Sequence, residues 1–190
     1  MGIANQLTML RLLLSPVFVV VFMVGGTGGR LLSLLVAGAF EITDMLDGYF
    51  ARKRKETSDF GKLFDPMTDS ISRFTVFLCL LWGGYAHLWM VALIFYRDLF
   101  VAYVRVACAR SGMVLPARLS GKVKAIAQGI VIITVLTLIL LTDHGDVVAV
   151  AATRRTAQWL VGLVVIVTMW SAFDYIHSAL PVLRSLLHRK

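Results

Sequence analysis

The stretch from Leu31 to Asp69, LLSLLVAGAFEITDMLDGYFARKRKETSDFGKLFDPMTD, decides the fold. It opens on an apolar run, gathers Glu41, Asp44 and Asp47, and ends in the basic string Arg52-Lys53-Arg54-Lys55. Acidic residues return at Asp65 and Asp69, ahead of a second apolar run. Long apolar runs of this kind, without alternation, read as membrane helices and not as strands. A charge at a bilayer centre costs about 2.5–3.5 kcal/mol. Several facing lipid would outweigh the roughly 5–15 kcal/mol that holds a typical domain together. Glu41, Asp44, Asp47, Asp69, Arg97, Asp98 and Arg105 must therefore face each other, a metal or a water-filled cavity. A salt-bridged network without chemistry is the alternative reading.

The rest of the chain extends the pattern. Of 190 residues, 58% are apolar and only 16% charged, and the mean hydropathy is +0.81, so a soluble domain is disfavoured. Six spans can be set out: about Leu7 to Val24, stopping at Gly25-Gly26-Thr27-Gly28-Gly29; Leu31 into the basic string; Pro66 to Gly83-Gly84; Leu88 to Ala109; Gly121 to Leu141; and Ala157 to Leu180, before Pro181. The expected fold is all-α, six transmembrane helices in one bundle, forming a single domain over residues 1–190. Leu12 to Val24 follows Arg11 but lacks a clear small-x-small cleavage site, so it reads as a retained helix and not a signal peptide.

The net charge of +8 is distributed unevenly. Lys53, Arg54, Lys55 and Lys62, then Arg110, Arg118, Lys122 and Lys124, lie on one side with the tail residues Arg184, Arg189 and Lys190. Arg30, Arg154 and Arg155 lie on the other, near Asp143 and Asp146. The positive-inside rule then puts both termini in the cytoplasm of a multi-pass cell-membrane protein of the bacterial inner-membrane type. Nucleic acid is not expected as a partner, because no basic face with interleaved aromatics lies outside the apolar runs. Cys79 and Cys108 fall inside apolar runs without zinc spacing, and the four histidines form no ligand pair.

Spacing narrows the chemistry. Asp44 and Asp47 are three apart and share a helix face; Gly48 follows one turn after Asp44, with Arg52 one turn further. Asp65 and Asp69 are four apart on the next helix, with Gly61 between the two helices. Four converging carboxylates repel unless a cation sits among them, and all-oxygen ligation suits Mg²⁺ or Mn²⁺. Such an ion works beside substrate phosphates. Gly48 would let a nucleotide approach the backbone closely.

The string Asp44-x-x-Asp47-Gly48-x-x-Ala51-Arg52, eight residues, then Gly61-x-x-x-Asp65-x-x-x-Asp69 resembles the signature of the CDP-alcohol phosphatidyltransferase family at every position. The resemblance implies transfer of a phosphatidyl group from CDP-diacylglycerol to a small alcohol, with CMP leaving. It implies that Asp44, Asp47 and Asp65 bind metal, and that Asp69 joins them or acts as general base. Gly48, Arg52 and Gly61 would contact the cytidine diphosphate. Asn5-Gln6-Leu7-Thr8-x-x-Arg11 with Pro16 resembles the start of the phosphatidylglycerophosphate synthase branch. So do Arg97-Asp98, Arg105 and Ser120-Gly121-Lys122-x-Lys124 with Gln128. That branch implies sn-glycerol 3-phosphate as acceptor, its phosphate held by Arg97, Arg105 and Lys122. It also implies that Asn5 and Thr8 line the nucleotide site, and that the protein is a homodimer.

Other readings stay open here. Arg97 could pair locally with Asp98 or Glu41, Lys122 and Lys124 could be ordinary loop charges, and Asn5 could be a helix cap. Asp98 stands where the branch usually has Glu, and Ser70 where it often has Lys. The acceptor could instead be inositol phosphate, inositol or serine. From a different class, a small ion-binding transporter would also bury carboxylates, but no inverted repeat is evident.

Overall fold

In the computed structural model the backbone is described for residues 3–54, 59–110 and 118–187, and side chains for 6, 8–46, 67–106, 108 and 118–180. Among these residues there are six helices and no strand: α1 (Ile3–Val24), α2 (Gly26–Arg54), α3 (Asp59–Trp82), α4 (Leu88–Arg110), α5 (Leu119–Leu141) and α6 (Val147–Leu187). The all-α expectation holds, and several boundaries move: α3 begins at Asp59 and not near Pro66, so Gly61 belongs to that helix and not to the turn before it. The glycine run breaks the helix only at Gly25 and Gly26, whose φ of 66° and 64° turn the chain where a side chain would be strained. The remaining glycines join α2, and Gly29 lets α2 close on the α1 backbone near Val21. At the other end of the chain, α6 starts ten residues before Ala157. Asp146 caps it, its Oδ1 accepting from the Val148 amide at 2.8 Å. Arg154 and Arg155 are thus exposed residues of early α6 turns, and the helix runs on through Pro181 to Leu187.

The helices pack as two linked triplets. α1 lies against α2 and α3, and α6 against α4 and α5; α2 meets α5, and α3 meets α4, to join them. At one end of the bundle the short turns are tied to neighbouring helices: Arg30 of α2 meets His144 at 2.7 Å, and Gln158 of α6 donates to the Gly84 carbonyl at 3.1 Å. The half of the bundle near these turns holds the apolar core, including Phe18, Phe40, Phe77, Leu80, Val91, Ile132, Leu136 and Val161. A smaller cluster of Val101, Val104, Cys108, Tyr175 and Ala179 joins α4 to α6. Between them, towards the opposite end, buried side chains turn polar: Thr8, Arg11, Thr68, Ser72, Ser120, Lys124, Gln128, Thr168 and Ser171.

α5 and the Val147–Leu180 part of α6 are long and apolar enough to cross a membrane, and Thr8–Val24 is a shorter apolar helix. Large apolar side chains also face outward on every helix, among them Leu13, Met45, Leu78, Tyr103, Ile130 and Phe173. A water-soluble monomer rarely carries so continuous an apolar exterior.

Candidate active site

The polar half is built from two adjoining clusters. The first lies where α1, α2 and α3 meet. Arg11 on α1 is 1% exposed, and a buried guanidinium needs counter-charge. It finds two. Its Nη1 donates to Asp44 Oδ1 at 3.4 Å and forms a close ion pair with Asp69 Oδ1. Carboxylates from two helices therefore share one cationic nitrogen. The other Asp44 oxygen accepts from Arg73 Nη2 at 3.0 Å, and Arg73 also grips Glu41 with two donors, at 3.1 and 3.3 Å. Asp69 and Arg73, four apart, present one face of α3 to α2; Glu41 and Asp44, three apart, answer from α2. Gly129 of α5 lies behind them, so close that a Cβ there would meet the Glu41 carboxylate at 2.5 Å.

The second cluster lies between α4, α5 and α6. Arg97 donates from Nη1 to Asp98 at 3.0 Å and from Nη2 to Ser171 at 2.7 Å. Lys124, buried on α5, forms a close ion pair with the same Asp98 oxygen. One turn on along the same stripe of α6, Tyr175 accepts from Arg105 Nε at 3.1 Å, and the guanidinium lies 5.5 Å from its ring centre. Asp174 takes Ser120 from α5 at 2.5 Å and Arg118 at 2.9 Å.

The structure thus brings Asp44 to Asp69, and sets Arg97 and Arg105 along one face of α4, towards α6. Thr8 is buried one turn before Arg11. Lys122 is not brought to Arg97: it is exposed, and the lysine that turns inward is Lys124. Positions two apart on a helix point to nearly opposite sides, so only one of the pair can face Asp98. The side chains of Asn5, Asp47, Gly48, Arg52, Gly61 and Asp65 lie outside the described ones, although their backbones belong to α1, α2 and α3. Sequence reading gave no role to Arg11, Arg73 or Ser171. The arginine of the Asn-x-x-Thr-x-x-Arg string carries a signal, and so does Arg73, the basic residue that follows Ser70 where the branch often has Lys.

Against this geometry, the sequence profile of the CDP-alcohol phosphatidyltransferases matches residues 1–175. The chain belongs to that family. Its relatives include the CDP-diacylglycerol–glycerol-3-phosphate 3-phosphatidyltransferase of Bacillus subtilis (strain 168), 31% identical over 91% of this chain and 94% of that protein. A protein of the same name from Treponema pallidum (strain Nichols) is 30% identical over 90% of this chain and 82% of its own length. A probable phosphatidylglycerophosphate synthase of Mycobacterium tuberculosis (strain CDC 1551 / Oshkosh) is 34% identical over 69% of this chain and 64% of its length.

The donor set of this family member suits a hard divalent cation. Around Asp44 there are three described carboxylates, Glu41, Asp44 and Asp69, against two guanidinium groups, Arg11 and Arg73. The excess is negative, the donors are all oxygen, and two of them already share a cation. Among the described residues no three acidic, histidine or cysteine side chains close on one metal position. Asp44 and Asp69, brought together on Arg11, would offer two such oxygens.

Proposed function

We propose that the chain transfers the phosphatidyl group of CDP-diacylglycerol to sn-glycerol 3-phosphate, releasing CMP and forming phosphatidylglycerophosphate for phospholipid synthesis. One observation carries this reading: an acidic pair shared between α2 and α3 adjoins a cluster on α4–α6 built around Arg97, Arg105 and Lys124. The first suits a cation with a pyrophosphate, the second an anionic acceptor. The names of the Bacillus and Treponema relatives point to the same donor and acceptor.

In this mechanism Asp44, Asp47, Asp65 and Asp69 would hold Mg²⁺ or Mn²⁺, which when bound would supply charge neutralisation for the pyrophosphate and the departing CMP. Asn5, Thr8, Gly48, Arg52 and Gly61 bind the nucleotide. Arg97 and Arg105 hold the acceptor phosphate, while Lys124, the lysine that turns inward in place of Lys122, neutralises Asp98 and so leaves Arg97 its positive charge for substrate. The acceptor's primary hydroxyl oxygen bonds to the β-phosphorus, its proton passes to the Asp69 carboxylate, and the bond from that phosphorus to the CMP oxygen breaks. All six helices span the bilayer as one domain over residues 1–190, in a bacterial-type inner membrane. Both termini and the active site lie on the cytoplasmic side, and two copies associate through the outer apolar faces.

The deciding experiment supplies purified protein with CDP-diacylglycerol and separate acceptors: sn-glycerol 3-phosphate, inositol phosphate, inositol and serine. Equal amounts of CMP and phosphatidylglycerophosphate are expected with glycerol 3-phosphate alone. Turnover only with another acceptor would overturn the acceptor, and no CMP with any would overturn the reaction.

A further inference from the structure

Gln128 of α5 is 1% exposed, and neither its amide oxygen nor its amide nitrogen has a hydrogen-bond partner. Burying an unmade hydrogen-bonding group costs more than omitting the group, so a core position that retains such an amide calls for an explanation. Its location suggests one. Gln128 lies one turn beyond Lys124 on the same face of α5, and that lysine meets Asp98 beside Arg97. Its next neighbour, Gly129, backs onto the Glu41 carboxylate that Arg73 ties to Asp44. Gln128 therefore stands at the junction of the basic and acidic clusters. Thr168 Oγ1 on α6 and Arg97 Nε on α4 are likewise buried without a partner, so open hydrogen-bonding capacity is spread over all three helices of the second cluster.

We propose that Gln128 is a specificity-determining residue: its amide binds the acceptor's non-reacting secondary hydroxyl. This rests on the acceptor reading above. Glycerol 3-phosphate carries an anionic phosphate at one end and the attacking primary hydroxyl at the other, with a neutral hydroxyl between them. The neutral hydroxyl both donates and accepts a hydrogen bond, and a carboxamide offers both complements. A charged side chain at the junction would bias the clusters on either side, and an apolar one could not read a hydroxyl.

The test compares sn-glycerol 3-phosphate with 3-hydroxypropyl phosphate, which lacks only the secondary hydroxyl, in wild type and Gln128→Met. Methionine keeps the length and removes the amide. Wild type should prefer glycerol 3-phosphate by roughly tenfold or more in kcat/KM, because the deoxy acceptor leaves the buried amide unpaired. Gln128→Met should lower kcat/KM for glycerol 3-phosphate by roughly tenfold or more, chiefly through KM, and affect the deoxy acceptor far less. Its Tm should match or exceed that of wild type, because an unpaired buried amide is gone. An equal loss on both acceptors, or an unchanged preference, would overturn the proposal. If the methionine variant does not fold, the wild-type comparison still decides: no discrimination between the two acceptors overturns it. Failure of the acceptor reading looks different, since wild type would then release no CMP with glycerol 3-phosphate at all.

Discussion

Arg11 sits between two acidic side chains from different helices, and its removal takes a counter-charge away from both, with Arg73 still on Asp44. Breaking a buried ion pair by deleting one partner costs about 3–5 kcal/mol. Arg11→Met should therefore lower the Tm of metal-free protein, and Mn²⁺ should recover more of the Tm for this variant than for wild type. Equal melting of the two metal-free proteins would contradict the pairing. Asp69→Asn keeps the shape of the side chain and removes its charge, so it should abolish CMP release while leaving the protein folded by circular dichroism. Near-normal turnover would remove the role given to Asp69. At this scale the sequence was legible where a face repeats: Asp44 and Asp69 belong to acidic pairs spaced three and four apart. Arg11 was not, because it is 33 and 58 residues from its partners and has no charged neighbour on its own helix. Nor could the sequence choose between Lys122 and Lys124, since the choice is made by Asp98 on another helix.

At the scale of the element, α5 is the hinge between the two clusters. Gly129 permits Glu41 to lie against the helix backbone, and Arg73 grips that carboxylate with two donors, so it cannot easily swing away. Gly129→Ala should displace Glu41 and destabilise the fold by about 1–3 kcal/mol despite alanine's better helix propensity, as read by thermal unfolding. A stabilised variant would show the contact to be slack. The start of α6 gives a second case. Asp146→Ala removes the cap on the Val148 amide and should cost about 0.5–2 kcal/mol, with increased amide exchange confined to the first turn of α6. Uniform exchange along the helix would contradict a local cap. These helix ends were misread for one physical reason. Adjacent arginines and glycine runs resemble loops in composition, but exposed arginines sit comfortably on an outer helix turn, and two positive-φ glycines suffice to reverse the chain.

For the molecule as a whole, the division into an apolar half and a polar half explains why membrane character is uneven along the sequence. α5 and α6 pass as apolar spans, whereas α2, α3 and α4 carry Glu41, Asp44, Asp69, Arg73, Arg97 and Asp98, the residues of the two clusters. These six charges are paired within the bundle, while Met45, Leu78 and Tyr103 face outward from the same three elements. The signature spanning Asp44 to Asp69 was legible because its residues are local in sequence. The adjoining Arg97–Asp98–Lys124–Ser171 cluster draws on α4, α5 and α6, and no local spacing reveals such a meeting.

The claim beneath all of this is that the carboxylates shared by α2 and α3 hold a divalent ion. Titrating purified protein with Mn²⁺ while following the paramagnetic resonance of the free ion measures that uptake without requiring turnover. Wild type should take up Mn²⁺ with saturation, and the double variant Asp44→Asn, Asp69→Asn should bind on the order of tenfold more weakly or worse. Uptake by the folded double variant equal to that of wild type would contradict the account.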